Sequence, residues 1–272
     1  MSTQPAKQRL IDFSVEAGVA LVTLNDPPAN TYSYEMMREI DDAVLAARMN
    51  RDVHVLVIRG AGEKFFCAGA NISMLTQADP EWKYYFCLHA NETMNRLEQT
   101  PKLVIAALNG HCVGGGLEVA MAADIRVARK DAGKIGLPEV KLGVLPGTGG
   151  TQRLARLLGK ARAIELMATG RMMLFDEAQA LGLVNEVWDD AVLKGRSFRD
   201  AVIDYARQFT PPHAASRAIG HIKRAVQSGL EVGFQEGLAL ERELQQRLFE
   251  SADAAEGLAA HVEKRAPKFT GR

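Results

Sequence analysis

Apolar residues follow two regimes along this chain. In the first two thirds, short and nearly continuous apolar runs recur: Val19-Ala20-Leu21-Val22-Thr23-Leu24, Val53-His54-Val55-Leu56-Val57-Ile58, Val104-Ile105-Ala106-Ala107-Leu108 and Ile125-Arg126-Val127-Ala128. Runs this short and this rich in branched side chains predict strands, several of them buried on both faces. Asp26-Pro27-Pro28 stops the first, because proline cannot donate to a ladder. Between the strands the spacing turns helical. Met36, Met37, Ile40, Val44 and Leu45 mark a helix over 34–49, and a second is predicted over 81–98, ended by Thr100-Pro101. The strand ending at Asn109-Gly110 leads through glycines 114, 115 and 116 into a helix over 117–123. Strand alternating with helix predicts an α/β fold with crossover connections.

From about Arg196 onward helical spacing dominates, broken by Pro211-Pro212. Ser228 and Glu231 have the spacing of a capping box and predict a helix over 232–249, with a shorter helix after Ser251. The expected organisation is an α/β body over 1–195 and a helical region over 196–272.

Composition narrows the function classes. Of 272 residues, 47% are hydrophobic and 24% charged, ordinary for a globular protein. Lys plus Arg equals Asp plus Glu at 33 each, so no net charge draws the chain to nucleic acid or to an anionic membrane. The basic cluster His221-Ile222-Lys223-Arg224 reads as a solvated helix face, which disfavours a non-catalytic RNA-binding role. No apolar run is long enough to span a bilayer, and MSTQPAKQRL lacks the apolar stretch of a signal peptide. The cysteines, Cys67, Cys87 and Cys112, form no close-spaced metal pattern. A cytoplasmic protein without a metal is expected.

Three segments carry candidate chemistry. In Asn109-Gly110-His111-Cys112-Val113-Gly114-Gly115-Gly116-Leu117-Glu118, a strand runs through three glycines into a helix start. Such a turn offers unpaired N–H groups that can stabilise an oxyanion, with Glu118 in the first helical turn. The same segment also reads as a tight connection with a glutamate favoured by the helix dipole. It matches neither the nucleotide-binding glycine patterns nor a serine nucleophile elbow. Phe65-Phe66-Cys67-Ala68-Gly69-Ala70-Asn71-Ile72 follows a strand, and its small residues could supply a second N–H donor or form a plain turn. In Gly136-Leu137-Pro138-Glu139-Val140-Lys141-Leu142-Gly143, Glu139 opens a short helix. There it is either a helix-start residue or a carboxyl with the raised pKa that suits proton transfer. The stretch Pro146-Gly147-Thr148-Gly149-Gly150-Thr151 reads as a loop entering a helix. Met74, Leu75, Trp82, Tyr84, Tyr85, Phe86 and Met94 either line a pocket or pack helices, His111 reads as structural, and Cys67 and Cys112 read as small core residues.

Taken together and in this order, these motifs resemble the crotonase, or enoyl-CoA hydratase/isomerase, superfamily, from Val19 to Val262-Glu263-Lys264-Arg265. The resemblance implies a crotonase-like spiral of ββα repeats followed by a helical region that forms homotrimers, often paired into hexamers. It implies an acyl-CoA thioester substrate, with CoA entering as part of that substrate and no other cofactor. It assigns Ala70 and Gly115 to the thioester oxyanion hole and Glu118 and Glu139 to the two catalytic carboxylates. Ala68, Gly69, Asn71, Ile72 and Gly114 border the CoA and substrate site, and Phe249 and Lys264 fall where C-terminal residues meet the adenosine end. Two carboxylates imply hydration of a 2-enoyl-CoA, with isomerisation or other thioester chemistry as the alternative. Three departures bear on substrate choice: Asn71 in place of a frequent aspartate, Leu137 in place of an occasional glutamine, and Asn30-Thr31-Tyr32 in place of Asn-Ala-Leu.

Overall fold

The computed structural model describes residues 9–272; most of the N-terminal segment read above for a signal peptide lies outside them. Among the described residues ten strands form two sheets. The larger holds β1 (Ile11–Glu16), β2 (Val19–Leu24), β3 (Val55–Gly60), β5 (Leu103–Leu108), β7 (Ile125–Arg129) and β10 (Glu186–Trp188), side by side in that order. The smaller holds β4 (Phe65–Cys67), β6 (His111–Val113), β8 (Lys134–Gly136) and β9 (Met173–Leu174). Apart from the β1–β2 hairpin and the β8–β9 pair, neighbours run parallel.

This order makes the fold a spiral. Each of β3–β4, β5–β6 and β7–β8 sends one strand to the large sheet and the next to the small one, and helical structure follows. Each successive pair is hydrogen-bonded to the pair before it in both sheets. The helices α1 (Tyr34–Met49), α2 (Ile72–Gln77), α3 (Pro80–Glu98), α4 (Gly115–Met121), α5 (Gly150–Leu158), α6 (Lys160–Thr169) and α7 (Phe175–Ala180) close these turns. The central strands are largely apolar because both their faces are covered. Leu56, Ile58, Val104, Ala106 and Leu108 face a core shared with α1, α3 and α4. Val55, Val57, Ile105 and Val127 face a second core completed by Trp188 and by α9 (Phe198–Arg207), which follows the short helix α8 (Asp190–Leu193). Then come α10 (Ser216–Gly229), α11 (Phe234–Phe249) and α12 (Ala252–Glu263). Among the described residues no helix is long and apolar enough to cross a membrane.

The helix over 34–49 stands as expected, capped by Ser33, whose side chain accepts from the Met36 amide. The strand expected over 53–58 occupies Val55–Gly60 instead. Its partner β2 begins at Val19, which pairs with Val55, so no partner strand exists for Val53. The capping box expected at Ser228 does not form. Ser228 lies inside α10, and Glu231 is drawn to Arg156 at 2.8 Å. The next helix, α11, starts at Phe234 with Gly233 as its N-cap, so the three-residue spacing from Ser228 to Glu231 was a coincidence of sequence.

Candidate active site

The site is built where the second, third and fourth turns of the spiral stack. The strand β6 ends at Val113, and Gly114 adopts φ +56°, a conformation that a side chain would strain, before α4 begins. Gly115 is the first residue of that helix, so its N–H has no carbonyl to bond within the helix. From the neighbouring turn, the loop after β4 passes directly alongside: a Cβ placed on Gly69 would stand 3.0 Å from the Gly115 nitrogen.

That second loop is pinned by Tyr32. The Tyr32 N–H donates to Gly69 O and the Asn71 N–H donates to Tyr32 O, both at 2.9 Å. Such a bridge uses the groups on either side of Ala70, so the Ala70 N–H points the other way. Ala68 is tied down by its amide, which donates to Ala29 O at 3.0 Å. Asn71 caps α2 by accepting from the Met74 amide at 3.0 Å, a structural use for the residue that departs from the frequent aspartate. Ile72 is half exposed at the start of that helix.

Both glutamates border the same glycine turn. Glu118, one helical turn into α4, is almost fully buried, and its carboxylate is surrounded by donors. The amides of Thr148 and Gly150 donate to Oε1 at 2.8 and 2.7 Å, and the Thr148 hydroxyl donates to Oε2. Burial pushes the carboxyl pKa up, while these three hydrogen bonds and the charge of Arg153 pull it down. Glu139 opens a 3₁₀ turn, Glu139–Leu142, and its Oε1 lies 2.9 Å from where a Cβ on Gly114 would stand. Its Oε2 is buried with no hydrogen-bond partner. Burial, with a smaller contribution from the charge of Glu118, pushes the Glu139 carboxyl up to about 7.

The chain thus brings Ala68, Gly69, Ala70, Asn71, Gly114, Gly115, Glu118 and Glu139 to one place. Phe249 and Lys264 are exposed, at the ends of α11 and α12, and among the described residues neither makes a hydrogen bond to that cluster. Thr148 and Gly150 were not singled out from sequence. The signal was present in the run Pro146–Gly150, but it reads as an ordinary helix entry until the fold places it against Glu118, thirty residues earlier. Of the candidate pocket residues, Phe86 and Met94 are core, Met74, Leu75 and Trp82 pack at its edge, and Tyr84 and Tyr85 are exposed. The His111 ring accepts from the Lys134 amide at 3.0 Å, a structural role. Cys67 and Cys112 are buried, and burial pushes the Cys67 thiol up to about 12 and that of Cys112 well above its ordinary value, so neither is a thiolate. Among the described residues, no group of three or more His, Cys, Asp or Glu side chains is arranged to hold a metal ion.

A spiral of paired strands with two carboxylates at a glycine turn defines a crotonase-type protein. The chain belongs to the enoyl-CoA hydratase/isomerase family, whose model matches residues 14–272. It is 36% identical over 264 residues to a probable enoyl-CoA hydratase of Bacillus subtilis (strain 168), covering 96% of this chain and 98% of that protein. It is also 36% identical to the short-chain-enoyl-CoA hydratase of Clostridium acetobutylicum, over 92% of this chain and 93% of that protein. Among solved structures, an enoyl-CoA hydratase from Geobacillus kaustophilus HTA426 superposes with a TM-score of 0.92 at 42% identity, covering 98% of both chains.

Proposed function

We propose that the chain is an enoyl-CoA hydratase that adds water reversibly across the 2,3 double bond of a 2-enoyl-CoA, giving a 3-hydroxyacyl-CoA. One observation carries this reading above all: a carboxylate held by three donors faces the same glycine turn as a second carboxyl that has one buried oxygen without a hydrogen-bond partner and is pushed up to about 7. Moving a double bond needs one well-placed base; adding water needs a base for the water and an acid for carbon. The names of the relatives agree with hydration.

In this mechanism the thioester oxygen sits on the Ala70 and Gly115 amides. Attack at Cβ builds negative charge on that oxygen, and donors already aimed at it are worth about 3 kcal/mol each. Ionised Glu118 takes a proton from water, the new hydroxyl bonds to Cβ, and protonated Glu139 delivers its proton to Cα. The carboxyl of Glu139, raised to about 7, is suited to both giving and regaining that proton near neutral pH. Water addition involves no net redox change, so the reaction calls for no cofactor beyond the CoA that the substrate carries.

The same proposal extends to assembly as a homotrimer or dimer of trimers. Ile222, Val226 and Leu230 form an exposed apolar row at four-residue spacing along the α10 side of a groove of about 860 Å³, with Leu157 opposite. A second copy of the chain would cover such a row, and would bring Phe249 or Lys264 toward the adenosine end of its neighbour's CoA. A cytoplasmic setting accords with three free cysteines.

The test is to mix the protein with crotonyl-CoA and follow the ultraviolet absorbance of the conjugated thioester, with Glu139→Gln as control. A fall in absorbance that the variant abolishes is expected. No fall, with CoA thioester binding demonstrated separately on this acyl group and on longer ones, would overturn hydration in favour of isomerase or hydrolase chemistry.

A further inference from the structure

We propose that Tyr32 is a positioning residue for the reaction, its hydroxyl orienting Glu118 through Thr148. The inference rests on the hydratase reading above. Tyr32 is 1% exposed, and its hydroxyl lies 3.3 Å from Thr148 Oγ1. A threonine hydroxyl has one proton, and that of Thr148 goes to Glu118 Oε2. The donor between Tyr32 and Thr148 is therefore the phenol, and the chain of donation runs Tyr32 to Thr148 to Glu118. Burial and the charge of Glu118 both push the phenol pKa well above its ordinary value, which keeps it a donor at every working pH.

The placement of the ring points the same way. The Tyr32 backbone holds Gly69 and Asn71, on either side of Ala70. The Tyr32 hydroxyl fills the space that any Cβ on Gly115 would occupy. One residue thus touches both proposed oxyanion donors and the network on one carboxylate. Packing alone does not account for the hydroxyl. The ring's aromatic neighbour is Phe86, at 6.1 Å between centroids, and a phenylalanine would serve that contact equally.

The other titratable groups that face Glu118 do not compete for the role. Cys87 on α3 is a thiol whose pKa burial raises, so it stays neutral. Arg153 on α5 is engaged with Glu98 at 2.8 Å. Glu139 faces it from the 3₁₀ turn as the partner acid. Removing the Tyr32 donor weakens the Thr148 hydroxyl as a donor, so the ionised form of Glu118 loses support.

The experiment compares wild type, Tyr32→Phe, Thr148→Val and the double variant. It reads kcat and KM against pH on crotonyl-CoA. It also reads the titration of the Glu118 carboxyl by carbon NMR on carboxyl-labelled protein, assigned by its loss in Glu118→Gln. Tyr32→Phe is expected to lower kcat by about five- to tenfold with KM little changed. It should move the Glu118 titration, and the acid limb of kcat with it, to higher pH. In the Thr148→Val background the same change should do nothing further. An unaltered titration in Tyr32→Phe, or equal losses in both backgrounds, would overturn the proposal. If the wild type hydrates no enoyl-CoA, the functional reading fails, and the Glu118 titration still decides whether Tyr32 acts on that carboxyl through Thr148.

Discussion

Glu118 sits in a helix whose seven residues are all buried, whereas Glu139 opens a 3₁₀ turn in which none is. Around Glu118, two backbone amides and a hydroxyl fix both carboxylate oxygens. Beyond Glu139 the chain runs out through Val140, Leu142, Val144 and Leu145, each at least 45% exposed. The same residue type therefore meets two physical environments a few ångströms from one glycine turn. Burial raises the pKa of the first carboxyl as well, but donors hold it in one orientation and offset part of that rise in favour of its charge. The second lacks a partner for one oxygen, and burial favours its protonated form. An acid and a base can thus be made from two glutamates by surroundings alone.

The largest effect that would break this comparison is on turnover. Glu118→Gln and Glu139→Gln should each lower kcat by about 10²- to 10⁴-fold, while calorimetric binding of a saturated acyl-CoA stays close to wild type. Either variant retaining full turnover would remove that carboxylate from the mechanism. A smaller but sharper effect is the pH dependence. In the proposed mechanism hydration needs Glu139 protonated, and its carboxyl is pushed up to about 7. Hydration leaves the proton count of the Glu118–Glu139 pair unchanged, so forward and reverse kcat/KM share one pH profile, and both should fall above about pH 7. Profiles that stay level well above about pH 7 would show that Glu139 does not exchange the Cα proton.

The smallest expected effect is on stability. The folded-state value of Glu139 lies above its ordinary 4.5, so folding binds its proton more tightly. The favourable contribution is therefore full below about 4.5, is lost as the pH rises through about 7, and leaves a constant penalty beyond. Glu139→Gln removes that penalty. Partial exposure screens it, so thermal melts should show a gain of about 1 kcal/mol at pH 8 and none at pH 4. An equal gain at both would point to packing instead of charge. An inactive variant that is the more stable one would match the usual exchange between activity and stability at active sites.

The sequence disclosed what is local. Both glutamates and both glycine turns stand in short motifs where a strand meets a helix, and the helix over 34–49 shows its apolar spacing within its own sixteen residues. What it did not disclose is long-range. The hold of Thr148 and Gly150 on Glu118 depends on α5 arriving beside α4, and the reach of Tyr32 to Thr148 spans 116 positions. The false capping box at Ser228 failed for a related reason. Local spacing proposed a helix start, and an ion pair from Arg156, seventy-five positions away, claimed the glutamate.

The stacking of turns also sets the order in which the protein can acquire its chemistry. No single turn of the spiral carries a complete site: Ala70 follows β4, Gly115 and Glu118 follow β6, and Glu139 follows β8. These strands are joined edge to edge by parallel pairings between distant positions, such as Val55 with Leu103. Pairings of this kind close long loops before they return any contact energy, so they form slowly. A nascent chain that has folded its first three turns already has both proposed oxyanion donors. The proposed acid is missing until β8 joins the small sheet, and the proposed base is not held until α5 packs beyond it.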